Sequence, residues 1–331
     1  MDSKVSTAGD AFDARRRAFT LAAAAGGLVS WLRTPSALAA ESASFSNSSG
    51  SENASLKAPA MACDAHIHIY DDRFPIVNAN ATLPRQATVE DYRKIQSRLG
   101  TTRTVIVQPA NYGTDNRVTL DAISKLGADK TRGIAVVSSD ISDEELLALH
   151  QGGIRGVRFS LFEPKNAVTR ADMIEPVARR IHDLGWHIQL QMRSDLIVEN
   201  GAMLKRLPCP VVFDHMARLP QTDSGRDAYN VIRGMLDHGR TWVKVSAAYL
   251  NTKVGPPSYE DATRMARSYI DAAPERVVWG SDWPHPTEKY SKPDDAKLFD
   301  LLAVSAPRAA SQHRILVDNP ATLYGFETEA T

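Results

Sequence analysis

Eight short apolar runs, rich in β-formers, are spaced along the chain, and each closes on polar residues. They are Met61–Ile67, Thr104–Gln108, Gly133–Ser138, Gly156–Ser160, His187–Gln191, Val211–Asp214, Trp242–Ser246 and Val277–Ser281. Helical patterns fill most of the gaps. Val89, Tyr92, Ile95 and Leu99 fall on one helix face, Thr88 with Asp91 resembles a capping box, and Gly100 stops the run. Ser142 with Glu145 starts a second helix that Gly152-Gly153 ends, and a third lies between Ala171 and Leu184 with Pro176 near its first turn. Ser258 with Asp261 starts another before the last run. Strands alternating with helices specify a parallel α/β sheet. Eight of them close into a single-domain (β/α)₈ TIM barrel. The competing fold is an open doubly wound sheet, but no Gly-x-Gly-x-x-Gly follows the first run.

The 331 residues have room for this barrel and a leader. Arg15-Arg16-Arg17-Ala18-Phe19 precedes an apolar run from Leu21 to Leu32, then Arg33 and the small-x-small triplet Ala37-Leu38-Ala39. Paired arginines before a short, weakly apolar segment resemble a twin-arginine export signal over residues 1–39, so a periplasmic location is expected. The apolar run falls short of the roughly 20 residues that cross a bilayer, so no membrane span is expected in the mature chain. The Ser/Asn/Glu-rich residues 40–57 read as a flexible linker, which leaves the barrel at residues 58–328. That is roughly 270 residues, close to the ~250 of a typical barrel.

Charge excludes some partners. Lys plus Arg and Asp plus Glu both number 39, for a net charge of +0, so no global field favours nucleic acid or an anionic membrane. A charged substrate must be held by local residues. Cys63 and Cys209 are too few for a disulfide framework or a zinc–cysteine site. Nothing in the pattern fixes an oligomer beyond a monomer or small homo-oligomer.

Barrel chemistry sits at the C-terminal ends of the strands. His66 and His68 end the first strand, two residues apart and so on one face. Two such imidazoles can bind one metal or one anionic oxygen, or can be ordinary core histidines. His215 follows Val-Val-Phe-Asp at the sixth strand end, and Asp282 follows Val-Val-Trp-Gly-Ser at the eighth.

Two histidines from strand one, one from strand six and an aspartate from strand eight resemble the amidohydrolase superfamily. The resemblance runs from about Ala62 to Phe326 and rests most visibly on Ala62-Cys63-Asp64-Ala65-His66-Ile67-His68 and Trp279-Gly280-Ser281-Asp282-Trp283-Pro284-His285-Pro286. It implies a hydrolase in which Asp282 takes a proton from the attacking water, with His66, His68 and His215 at the reacting carbonyl. Strand five ends Gln189-Leu190-Gln191-Met192-Arg193 without the histidine of many metal-dependent members, and His187 is at the other end of that strand. The resemblance therefore leaves two arrangements: no metal, or a single Zn²⁺ on His66, His68 and Asp282.

Four further segments are similar to the 2-pyrone-4,6-dicarboxylate lactonase group: Val107-Gln108-Pro109-Ala110-Asn111-Tyr112-Gly113-Thr114-Asp115-Asn116, Gly133 to Val137, Gly152 to Phe159, and Phe213-Asp214-His215-Met216-Ala217-Arg218. Members act on small lactones that bear acidic groups. The likeness implies that Arg158 holds a substrate carboxylate or sulfonate; Gln191 and Asn111 are further candidates for the substrate site, and Arg218 and His285 are secondary ones that read equally as structural ion-pair partners at the barrel mouth. Gln191 stands in place of a tyrosine, Ala110 in place of a serine, Pro164 next to Lys165 in place of an arginine, and Tyr249-Leu250 where another arginine occurs. The implied partner is a small anionic lactone. The first expectation is 4-sulfomuconolactone, opened to maleylacetate and sulfite in aromatic-compound catabolism. The alternatives are hydrolysis of 2-pyrone-4,6-dicarboxylate, a sugar-acid lactone hydrolase or isomerase, an aromatic-acid decarboxylase, and, from another class, a periplasmic binding protein on the same scaffold.

Overall fold

The computed structural model describes residues 44–77, 86–163, 168–250 and 252–327. The twin-arginine segment, its cleavage site after Ala39, and Pro164 and Lys165 lie outside them. No helix among the described residues is long and apolar enough to cross a membrane.

Six of the eight strands are buried at every residue, which is why they read as apolar runs rather than alternating ones. The strands are β1 (Cys63–Ile67), β2 (Arg103–Val107), β3 (Thr131–Ala135), β4 (Ile154–Leu161), β5 (His187–Met192), β6 (Val211–Phe213), β7 (Thr241–Ser246) and β8 (Val277–Gly280). They form one sheet in chain order, with each neighbouring pair parallel. The ends of β1 and β8 meet: Asp282 N donates to His66 O at 2.9 Å and His68 N to Trp283 O at 2.8 Å. The Asp64 carboxylate reinforces this seam, accepting from Ser281 N at 2.9 Å and Ser281 Oγ at 2.7 Å. The architecture is a (β/α)₈ barrel.

The main helices between strands are α1 (Val89–Leu99), α2 (Arg117–Leu126), α3 (Asp143–Gln151), α4 (Ile174–Ile181), α5 (Ser194–Arg206), α6 (Asp223–Leu236) and α7 (Glu260–Ala272), and α8 (Asp295–Ser305) follows β8. Thr88 and Ser142 cap α1 and α3 through reciprocal capping boxes with Asp91 and Glu145. The Ser258–Asp261 start does not form. Helix α7 begins after Tyr259, and the Asp261 carboxylate is engaged by Thr252 Oγ1 at 2.5 Å and Lys253 N at 2.6 Å. At the N-terminal end of the barrel, Arg103 and Arg132 flank the Phe326 ring at 5.2 and 4.8 Å, and Arg132 Nη2 donates to Gly325 O at 2.9 Å. The chain thus closes the end opposite the strand tips. Cys63 and Cys209 are free, buried thiols.

The run expected to be a flexible linker is, from residue 44 on, an ordered arm. Arg98 of α1, its side chain fully buried, gathers it by donating to Glu52 O (2.8 Å), Ser48 Oγ (3.0 Å) and Ser49 O (3.0 Å) while stacking on Phe45. Trp283 Nε1 donates to Ser46 O at 2.9 Å. Polar composition made this stretch look solvated, but its carbonyls and hydroxyl serve as partners for a buried cation and a buried indole.

Candidate active site

The four residues singled out at the strand tips come together. His66 and His68 leave β1, where the pairing with β2 shifts register between Asp64 and Ile67. His215 opens four consecutive residues, through Arg218, with φ between +48° and +62°, so the backbone changes handedness directly after β6. Asp282 also has φ +63° and is pinned by His285 N donating to its carbonyl at 2.7 Å. Left-handed non-glycine residues cost about 1–3 kcal/mol each and persist only where surrounding contacts enforce them. Here they turn side chains into the barrel mouth.

Asp282 Oδ1 lies 3.3 Å from His68 Nε2, 3.5 Å from His66 Nε2 and 3.7 Å from His215 Nε2, and the two β1 nitrogens are 3.3 Å apart. All four residues are 2 % exposed or less. Each imidazole is oriented from behind. His68 Nδ1 meets Val107 O at 2.8 Å, His215 Nδ1 meets Ser246 Oγ at 2.8 Å, and His66 Nδ1 sits between Asp214 Oδ1 at 3.3 Å and Lys244 Nζ at 3.4 Å. With Nδ1 engaged, every Nε2 is presented to the same point.

Burial pushes His66 well below its ordinary range and His215 down to about 4, so both are neutral near pH 7. Burial alone would raise Asp282. The His215, His66 and His68 imidazoles around it reverse that, and its carboxyl is held well below the usual range. The arrangement is an ionised carboxylate facing imidazole nitrogens, all of them buried.

These donors fit a metal. Four ligand atoms around one Zn²⁺ at about 2.0–2.1 Å stand roughly 3.3–3.5 Å apart, which is the spacing of the His66, His68 and Asp282 atoms. A second triple, His66, Asp214 and His215, is also close enough in space. Asp214 is already claimed by cations and donors, with Arg158 Nε at 3.0 Å, Gln189 Nε2 at 3.1 Å and Lys244 Nζ at 3.8 Å. Burial would raise its carboxyl, but His66, Arg158 and Lys244 hold it well below the ordinary range. The first triple is the better metal site.

The remaining candidates are placed differently. Arg158 is 5 % exposed and spends only Nε on Asp214. The Arg218 guanidinium lies 3.7 Å above the Phe162 ring, with Nε buried and without a hydrogen bond. Gln191 is the last residue but one of β5 and Asn111 follows β2; neither reaches the four-residue cluster by a hydrogen bond among the described residues. His285 is a correction. Its Nδ1 faces Tyr249 Oη at 3.1 Å and its Nε2 faces Asp295 Oδ2 at 3.1 Å, so both nitrogens are used inside the protein rather than offered to a substrate. Residues not singled out also belong here, namely Asp214, Lys244, Ser246 and Asp295, together with Tyr249, which the sequence marked only as a departure from the lactonase pattern. Lys244 had a signal, a charge in the middle of the apolar run Thr-Trp-Val-Lys-Val-Ser. Its ammonium is fully buried, donates to Ala65 O at 2.9 Å and is lowered by burial to about 8.

A barrel with this polar cluster at its strand tips defines a class, and comparison with known proteins places the chain within it. The family model described as amidohydrolase matches residues 63–326, and the chain belongs to that family. It is 37% identical over 281 residues to a 2-pyrone-4,6-dicarboxylate hydrolase of Comamonas testosteroni, covering 81% of this chain and 92% of that one. It is 32% identical over 279 residues to a 4-sulfomuconolactone hydrolase of Rhizobium radiobacter, covering 82% and 92%. A solved structure of a probable 2-pyrone-4,6-dicarboxylic acid hydrolase from Acinetobacter baumannii, with citric acid bound, superposes with TM-score 0.71 at 27% identity over 80% of this chain and all of that one. By this kinship the chain is an enzyme, an ester-bond hydrolase.

Proposed function

We propose that the enzyme opens a small lactone bearing acidic groups by attack of water on the ring carbonyl. The observation that carries this reading is Asp282 Oδ1 set 3.3–3.7 Å from three imidazole nitrogens and held ionised among them. Asp282 removes the proton from the attacking water. An Nε2 that carries its proton, as His215 can with Nδ1 on Ser246 Oγ, would donate to the charge developing on the carbonyl oxygen, whereas His68, whose Nδ1 donates to Val107 O, offers Nε2 as a metal ligand. Once the acyl–oxygen bond breaks, the ring oxygen takes up a proton and the open-chain acid leaves. His66, His68 and Asp282 would hold Zn²⁺, which when bound would polarise the carbonyl as a Lewis acid.

Arg158 and Arg218 bring positive charge to the mouth, and Arg158 has two Nη groups beyond the Nε that Asp214 takes. A planar guanidinium suits a carboxylate or sulfonate. The citric acid bound to the Acinetobacter relative is likewise an anionic small molecule. 4-Sulfomuconolactone is our first substrate, since Tyr249 and Gln191 mark a shell that differs from the dicarboxylate pattern. 2-Pyrone-4,6-dicarboxylate is the second reading, favoured by the 37% identity to a hydrolase of that compound.

Acid release from both compounds and galactarolactone, measured beside metal content, tests the proposal. Asp282→Asn should lower kcat by about 10²–10⁴-fold, because an amide of nearly the same shape is no base. Activity within a few-fold of native would show that Asp282 does not activate water.

A further inference from the structure

A carboxylate base has two oxygens, and its terminal torsion is soft. In this pocket the oxygens have unlike surroundings. Asp282 Oδ1 faces the three imidazoles and has no other partner among the described residues. Oδ2 lies 2.6 Å from Tyr249 Oη, the length of a charge-assisted O–H···O⁻ bond. Tyr249 comes from the short 3₁₀ turn Ala248–Leu250 after β7, and the turn is set by Ala247 at φ +49°.

The Tyr249 hydroxyl has one proton, and at this distance it is spent on Asp282. Its oxygen still has room to accept, and His285 Nδ1 stands 3.1 Å away, able to fill that place when it carries a proton. The other ring nitrogen of His285 is 3.1 Å from Asp295 Oδ2. His285 and Asp295 are fully buried. Asp295 is the first residue of α8, where Ser48 Oγ of the N-terminal arm accepts from its backbone N–H at 3.2 Å. Lys292 Nζ holds the loop from the other side, donating to Pro284 O and His285 O at 2.8 Å each. The result is one line of contacts from the start of α8 to the base.

We propose that Tyr249 is the positioning residue of the catalytic base: by holding Asp282 Oδ2 it commits Oδ1 to the attacking water, and His285 on Asp295 holds the tyrosine hydroxyl in that role. This rests on Asp282 acting as the base. The chemistry needs nothing beyond the water and substrate of that reaction, since Tyr249 forms and breaks no covalent bond.

The test is a double-mutant cycle with steady-state kinetics, supported by crystal structures. Tyr249→Phe keeps the ring and removes the donor. It should lower kcat about 10- to 100-fold, the worth of one hydrogen bond to a charged group, while KM stays within about 3-fold. His285→Gln keeps a nitrogen near the Nε2 position for Asp295 but loses the contact with Tyr249, and kcat should fall about 3- to 10-fold by the same loss of a weaker contact. Because His285 acts through Tyr249, adding His285→Gln to Tyr249→Phe should cost nothing more. Multiplicative losses, or a native kcat in Tyr249→Phe, would overturn the proposal. The crystal structure of Tyr249→Phe supplies a readout free of any substrate. An Asp282 carboxylate turned from its native orientation supports the proposal, and an unchanged one refutes it. A native enzyme inert toward every lactone would sink the functional reading instead, with the crystal structures still deciding the role of Tyr249.

Discussion

Residues that read from the sequence as one motif divide here into those that converge on one point at the strand tips and those that hold them. His66, His68, His215 and Asp282 were legible because each sits at the tip of an apolar run. Tyr249 and Asp295 were not. Tyr249 depends on the left-handed Ala247, which no periodicity reveals, and Asp295 follows the cap Asp294 and reads as an ordinary first-turn acid. His285, three residues after Asp282, was a secondary candidate for the substrate site, and both its ring nitrogens face Tyr249 and Asp295 instead. Arg158 combines two tasks, since its Nε answers a buried Asp214 while its Nη groups lie beyond that contact. Arg158→Ala is therefore a poor test, because stripping one partner from a buried ion pair costs roughly 3–5 kcal/mol of stability. Arg158→Lys keeps a positive charge near Asp214 and loses the planar fork. We expect KM for an acidic lactone to rise about 10-fold with kcat within about 3-fold, and turnover of a neutral lactone to be unaffected. Equal losses on both substrates would place Arg158 in the scaffold alone.

The elements themselves followed the sequence where burial dictated composition and departed from it where particular contacts took over. All eight strands lie within the apolar runs or a few residues of their ends. The arm from residue 44 escaped because Ser and Glu resemble solvated chain until a buried arginine is found to need their oxygens. The seam of β1 and β8 is tightly constrained. Gly280 faces His66 so closely that an added Cβ would stand 2.6 Å from His66 Cβ and 2.8 Å from His66 N. Both neighbours are close to or part of the backbone and cannot swing aside. Gly280→Ala should thus push the two strands apart. The expected cost is about 1–3 kcal/mol, as for other overpacked interiors, read as a Tm lower by several degrees. Activity should fall at the same time, because the displaced strand carries His66 and His68. A variant with native Tm and native kcat would mean that the seam tolerates a methyl group and is looser than these distances require.

At the scale of the whole barrel, the two ends use histidine in opposite ways. At the strand tips three imidazoles converge on the Asp282 carboxylate. At the other end His187, on the first residue of β5, is 1 % exposed, packs edge-on against the Tyr324 ring at 5.5 Å, and has no hydrogen-bond partner on either ring nitrogen among the described residues. The sequence reading of His187 as a buried residue at the wrong end for chemistry matches this place. Burial lowers it from 6.5 to about 3, with the nearby Lys244 ammonium acting in the same direction. The consequence is a pH-dependent stability. Between about pH 3 and 6.5 the unfolded chain binds a proton at His187 that the folded chain does not, so the unfolded state gains as pH falls. Stability should therefore drop by up to ~1.4 kcal/mol per pH unit on this account, with no contribution above about pH 6.5. His187→Met fills a similar volume and removes the titrating ring. The two proteins should have similar stability at pH 7.5, since the lost imidazole made no hydrogen bond. At pH 4.5 the variant should be the more stable by about 2–3 kcal/mol, which is two pH units of one proton's linkage. Denaturant titrations of both proteins across pH 4 to 8 measure this. Carboxylates such as Asp214 and Asp282 weaken both proteins alike in acid, so the difference isolates His187. Curves that run parallel over that range would show that the imidazole binds its proton equally in both states, and that the lower end of the barrel admits water to a histidine that is 1 % exposed.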